Sequence, residues 1–177
     1  SLSRLFSYAA WADKYDGVVH SAPYRGVTMA LPEPIGVLAQ IAPEDQPLLT
    51  TISLIAPAIA MGNRVILIPS ERFASVALEL VQTFETSDIP PGVINIVSGD
   101  KDELSNQLVG HAEVDGAWCW ANSDTVARIE TTSALDLKRL WVHIDGDRDW
   151  LNPQQGESLE FLRNATEIKN IWTPYGD

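Results

Sequence analysis

The chain carries few residues in arrangements that do chemistry by themselves. Its three histidines, His20, His111 and His143, are scattered, which argues against a His-rich metal site. Cys119 is the single cysteine. It follows an apolar run and reads as a small core residue, because a nucleophilic thiolate needs a nearby base and an electropositive setting. One cysteine also excludes an internal disulfide framework or a thiolate zinc site, and suits a reducing compartment. The string Asp145-Gly146-Asp147-Arg148-Asp149 has the outline of a calcium loop, yet Trp150 stands where the sixth-position glycine belongs and the closing acid is misplaced. It reads as a solvated acidic turn. Asn164-Ala165-Thr166 fits the glycosylation sequon, which only a secreted protein would use. Neither G-x-G-x-x-G nor G-x-x-x-x-G-K occurs, so no phosphate-cradling loop announces itself.

The elements that must position any site come from hydrophobic periodicity. Leu2 to Tyr15 has apolar residues at helical spacing and ends at Gly17; Gly26 to Leu31 reads as a strand stopping at Pro32. From Glu33 the pattern becomes alternation of strand and helix. Strands are expected at Ile35–Ile41, Val65–Ile68, Val93–Val97, Val114–Trp118 and Leu140–Ile144. Helices are expected at Pro47–Met61, Ala74–Phe84, Glu103–Val109 and Val126–Thr132. Five short apolar runs separated by helices imply β-α-β units with right-handed crossovers. The predicted fold is therefore α/β, a Rossmann-like parallel sheet with helices on both faces. Ligands in such sheets sit beyond the carboxyl ends of the strands, here just after Ile41, Ile68, Val97, Trp118 and Val142. Beyond residue 145 the alternation stops: Asp145 to Gln155 reads as a loop, Glu157–Ala165 as a short helix and Ile168–Trp172 as a last strand.

Composition bounds the rest. The 177 residues are 45% hydrophobic and 20% charged, an ordinary globular balance for one domain. With 24 Asp+Glu against 12 Lys+Arg the formal charge is −12; residues 1–99 contribute −4 and residues 100–177 contribute −8. A nucleic-acid partner would be repelled, and the acidity serves solubility. The longest apolar run, Ile52 to Met61, is half of what a membrane span needs. No secretion signal is seen and a cytoplasmic setting is expected. With Ser at position 1, the chain is expected to be a piece of a longer protein.

EPIGVLAQIAPEDQPLL (Glu33–Leu49) followed by APAIAMGNRVILIPSE (Ala56–Glu71) resembles the cofactor-domain core of the aldehyde dehydrogenase superfamily. PPGVINIVSGD (Pro90–Asp100), VDGAWCWANS (Val114–Ser123) and LKRLWVHIDG (Leu137–Gly146) follow in that superfamily's order. PEDQPLL together with the ending KNIWTPYG (Lys169–Gly176) is similar to the C-terminal, non-catalytic unit of aldehyde dehydrogenase family 16. The resemblance implies a Rossmann-like nucleotide domain, and not in itself an activity.

Departures from the resembled pattern bear on function. Active relatives place an oxyanion-stabilising Asn in the turn that here reads Pro43-Glu44-Asp45-Gln46-Pro47; Asp45 brings a carboxylate, which repels an oxyanion. The general-base Glu of relatives falls on His143, expected as a strand residue, and Cys119 matches a Phe, not the nucleophile. No catalytic residue is therefore assigned. Ile68-Pro69-Ser70-Glu71 keeps the ribose-binding Glu and loses the neighbouring Lys. In the turn where relatives let backbone approach the pyrophosphate, Ala121 and Val126 replace glycines, Trp120 adds bulk and Asp124 adds negative charge. The resemblance thus implies a degenerate NAD site at Ile41, Pro43, Ile68, Ser70, Glu71, Gly99, Ala121 and Asn122, with weak or absent NAD binding and no metal.

In the superfamily a hairpin and the last strand form a flap that adds to a partner subunit's sheet. The division this implies is an N-terminal helix over 1–23, flap strands over 24–32 and 164–177, and a cofactor-type domain over 33–146. The catalytic domain is omitted between about 146 and 156. Ile168, Ile171 and Trp172 would supply apolar contacts to an aldehyde dehydrogenase-like unit of the same or another chain, in a homo-oligomer of the parent. The expectation is a catalytically inactive docking unit. The alternative is an NAD(P)-binding part of an aldehyde dehydrogenase whose nucleophile lies in another segment.

Overall fold

The computed structural model describes residues 1–23 and 25–175. Tyr24, Gly176 and Asp177, which belong to the expected flap, lie outside the described residues. Five parallel strands form the central sheet: β3 (Val37–Ile41), β4 (Arg64–Ile68), β5 (Ile94–Ile96), β6 (Gly116–Ala121) and β7 (Arg139–Ile144), in the order β5-β4-β3-β6-β7. The helices between them are α2 (Pro47–Ala60), α3 (Ala74–Glu85), α4 (Lys101–Gly110) and α5 (Ser123–Ser133).

Alternation within the strands sorts side chains into two cores. Leu38, Val65, Leu67, Trp118 and Trp120 point to the face covered by α1 (Leu2–Trp11), α2 and α3. Ala39, Ile41, Ile68, Ala117, Cys119 and Ala121 point to the face covered by α4 and α5. Burial on both faces is why these strands read as apolar runs. On the first face the rings of Trp118, Trp120, Trp141, Trp150 and Phe161 meet edge-on or stacked at 5.0–6.3 Å. The Arg148 guanidinium lies 5.1–5.9 Å from four of those rings.

A second, antiparallel sheet has the order β1-β2-β8: β1 (Val18–His20), β2 (Gly26–Pro34) and β8 (Thr166–Pro174). β2 runs through Pro32 and Pro34 rather than stopping at Pro32. The prolines are two residues apart, so both missing donors face one edge, and beyond Ala30 that edge has no β1 partner whose ladder they would break. Asn63 roots the flap: its amide donates to Ala58 O (3.0 Å) and Ala165 O (2.8 Å) and accepts from Gly36 N (3.0 Å).

Several expected boundaries move. α1 ends at Trp11, not Tyr15. β6 starts and ends later than Val114–Trp118, because its alternation of Trp with small residues continues to Ala121. β1 was not expected. The expected loop over 145–155 contains α6 (Pro153–Gly156), capped by Asn152, and the last helix is α7 (Leu159–Asn164). Arg4, from α1, anchors this segment by donating to Trp150 O and to Ser53 Oγ at 2.6 Å.

Candidate functional site

The crevice lies at the carboxyl ends of the strands, beside the switch point where the strand order extends from β3 to β4 and β5 on one side and to β6 and β7 on the other. It has two hollows. One, of about 320 Å³, is bordered by Pro69, Ser70, Glu71, Ala74, Ser98 and Gly99. The other, of about 220 Å³, is bordered by Glu44, Glu71, Asp100, Lys101, Asp102, Ala121, Asn122 and Asp145. Five carboxylates thus face one ammonium in the smaller hollow.

That ammonium is committed internally. Lys101 is the first residue of α4, and its Nζ donates to Ala42 O (2.9 Å) and Glu44 Oε1 (2.5 Å). Glu44 also accepts from Ser70 Oγ (2.7 Å), Glu71 N (3.1 Å) and Arg72 N (3.2 Å). Burial opposes ionisation of Glu44, but the Lys101, Ser70 and backbone donors outweigh it and hold its carboxyl at about 2. Glu71 Oε1 accepts from Lys101 N at 2.6 Å. The three strand ends are in this way laced together across the crevice.

The start of α5 is spoken for as well. Asn122 is its N-cap, and Oδ1 accepts from Asp124 N (3.1 Å) and Thr125 N (2.9 Å). Those are the donors a helix N-terminus would otherwise offer an anion. Thr125 Oγ1 donates to Asp102 Oδ1 (2.6 Å), and Arg128 pairs with the same oxygen at 2.5 Å. Asp145 is pushed above the usual carboxylate range, first by burial and further by Glu44, with Lys101 opposing.

The expected site residues divide. Ser70, Glu71 and Gly99 border the larger hollow, and Glu71, Ala121 and Asn122 the smaller. Ile41 and Ile68 are fully buried in the core, and Pro43 is buried beside them; none borders a hollow. Three readings of single residues are corrected. Asp45 is exposed, and the carboxylate of that turn which enters the crevice is Glu44. Trp120 adds no bulk to the crevice, because strand alternation sends it to the opposite face, 5.3 Å from the His143 ring and nearly parallel to it. Val126 packs inward on the α4–α5 core. His143 is a strand residue, as expected, and its ring stacks on Trp120 with Nε2 making no hydrogen bond among the described residues; burial, then Arg148, lowers its pKa below the ordinary value. Cys119 is fully buried, and burial pushes its thiol up to about 12, so it is protonated at neutral pH.

Glu44 and Lys101 are the site residues that sequence reasoning missed. A signal was present: Asp100, followed three residues later by Glu103, is an N-cap pattern, and Asp100 Oδ1 does accept from Glu103 N at 2.8 Å. It places Lys101 at the head of a helix, beside the strand ends. Among the described residues no group of three or more His, Cys, Asp and Glu side chains is placed to hold a metal ion, and no helix is long and apolar enough to cross a membrane.

A doubly wound parallel sheet with its crevice at the switch point defines a Rossmann-like nucleotide-domain fold. Structures sharing it include an aldehyde dehydrogenase from Brucella melitensis biovar abortus (TM-score 0.78, 26% identity, 82% of this chain and 30% of that one). Another is a Staphylococcus aureus betaine aldehyde dehydrogenase in complex with NAD+ (TM-score 0.76, 28% identity, 82% and 30%). The chain belongs to the aldehyde dehydrogenase family, whose pattern matches residues 1–151. It is 34% identical over 148 residues to an aldehyde dehydrogenase of Agaricus bisporus, covering 82% of this chain and 29% of that protein. It is 33% identical over 140 residues to the NADP/NAD-dependent aldehyde dehydrogenase PuuC of Escherichia coli, covering 78% and 28%. The chain therefore spans about three tenths of the length of these relatives.

Proposed function

We propose that this domain is a catalytically inactive member of the family, a pseudoenzyme unit that docks by its flap on an active aldehyde dehydrogenase unit in the same or another chain. The observation that carries the reading is the internal commitment of the crevice. A dinucleotide brings two phosphates, and the smaller hollow meets them with five carboxylates, a lysine already bonded to Glu44 and a helix start capped by Asn122. The residues present do not fit the phosphates of NAD(P). The buried, protonated Cys119 offers no nucleophile in compensation. The sequence ending and the turn Pro43–Pro47 support a kinship with the C-terminal unit of family 16.

The docking element is β8, nine residues long, with Ile168 58% and Trp172 70% exposed and Ile171 partly so. Among the described residues no strand pairs with its outer edge, which presents donors and acceptors for β-augmentation. The test is cosedimentation of this domain with a catalytic aldehyde dehydrogenase unit of the parent. Ile168→Lys with Trp172→Lys is expected to abolish the complex with circular dichroism unchanged; an unchanged complex overturns the docking role. The second reading, an NAD(P)-binding part of an aldehyde dehydrogenase, is favoured by the larger hollow, where Ser70, Glu71 and Gly99 leave about 320 Å³.

A further inference from the structure

The acidic turn after β7, Asp145-Gly146-Asp147-Arg148-Asp149, hides a cation at its centre. Gly146, at φ +91°, turns the chain out of the strand. Arg148 folds its side chain under the turn, where only 8% of it is exposed. Its guanidinium lies against Trp120, Trp141, Trp150 and Phe161. It also donates to Gln155 O (2.5 Å) and to the Glu160 carboxylate (2.7 Å). The turn is fastened at both ends: Asp145 N donates to Ala121 O on β6 (2.9 Å), and Trp150 O accepts from Arg4. Near the second fastening, Asp149 N donates to the Gln155 side chain (2.8 Å).

His143 shares this aromatic nest. Its ring lies nearly parallel to Trp120 at 5.3 Å and edge-on to Trp141 at 5.7 Å, and both rings also carry the guanidinium. Among the described residues neither His143 Nε2 nor Arg148 Nε has a hydrogen-bond partner, and both atoms are buried. A neutral imidazole tolerates this arrangement. An imidazolium has a proton on each nitrogen, so its Nε2–H is left without an acceptor and close to a second cation, both of which are costly. Burial first, then Arg148, opposes that proton, while Glu160 and Asp147 favour it. The strand packed beside the ring, β6, brings no charge.

We propose that His143 and Arg148 form an acid-sensitive latch: a proton on His143 expels the Arg148 guanidinium from the aromatic nest and frees the turn 145–149 between its two fastenings. In the released state the ring is solvated and titrates near its ordinary 6.5. The closed state is therefore fully favoured above that value and loses its advantage as pH falls through the lower, closed-state value. Protons shift the population because they bind the released state better. Asp145, where the turn leaves the sheet, borders the smaller hollow, so the latch sits at the lip of the crevice. No residue of β8 takes part, and the latch and flap docking fail separately.

Hydrogen exchange read by mass spectrometry follows the latch in the peptide that contains Asp149. After correction for the intrinsic pH dependence of exchange, its protection is expected to fall at least about tenfold between about pH 7 and about pH 5, with β4 in the central sheet unchanged. His143→Gln should keep its protection at both pH values, whereas His20→Gln and His111→Gln should behave as the wild type. Proton NMR of the His143 ring is the second readout: its midpoint is expected below 6.5, and Arg148→Met should raise it. Constant protection in the wild type, an equal fall in His143→Gln, or a fall that extends to β4 overturns the proposal. So does a His143 midpoint that Arg148→Met leaves unchanged.

Discussion

The crevice and the flap are built in opposite ways. In the crevice nearly every polar group that could meet a ligand has an internal partner: Lys101 holds Glu44, Glu44 gathers Ser70 and two backbone amides, and Asn122 caps α5. In the flap the reverse holds. β8 pairs with β2 along its whole length on one side, while its other side and its two large apolar residues face solvent. A buried set of bonds contributes stability, and an exposed strand edge contributes little to the isolated domain. The difference teaches that polar groups at the strand ends of such a sheet can serve one another as struts while a strand edge of the same domain stays open.

Four measurements break or sharpen that contrast. Lys101→Met leaves Glu44 half-buried without its cation and should cost on the order of 1–3 kcal/mol in urea unfolding, after allowance for the one-third of Glu44 that solvent reaches. A loss below about 0.5 kcal/mol would deny the strut role. Asn122→Ala removes the α5 cap and should cost about 1 kcal/mol, with Asn122→Asp retaining most of the stability. Acid probes the same strut. The Glu44 carboxyl is lower in the folded chain than its ordinary 4.5, so its contribution is full at neutral pH and is lost as pH falls below 4.5 toward about 2. The stability gap between the wild type and Glu44→Gln should therefore close across that window, and a gap that persists at pH 2 would refute the assignment. Trp172→Lys should change stability least, by no more than about 0.5 kcal/mol, since its ring is already in water; a large loss would mean the flap is itself a structural element.

Sequence pattern made the central sheet legible because parallel strands covered on both faces leave uninterrupted apolar runs, as at Val65–Ile68. The same pattern hid β1: Val18–His20 is three residues long and exposed throughout, so it leaves no burial signature. It also hid the geometry of β6, where the important fact is which face each residue takes. Trp120 looked like an obstruction near the phosphate turn, yet one step along a strand is half a rotation, and the ring belongs to the other core. Of the two residues read as replaced glycines, Ala121 borders the smaller hollow and Val126 packs on the core. The pairing of Lys101 with Glu44 was invisible, because the two residues arrive from different elements, 57 positions apart. Long-range partners such as Lys101 and Glu44 are set by the crossing of loops at the strand ends, which no local window reports.

The central claim is that the crevice holds itself closed to a dinucleotide, and calorimetric titration of the domain with NAD+ tests it most directly. The account predicts no saturable heat at millimolar nucleotide, with Lys101→Met no better. A dissociation constant below about 0.1 mM, roughly 5.5 kcal/mol of binding, would contradict it and restore the cofactor-binding reading.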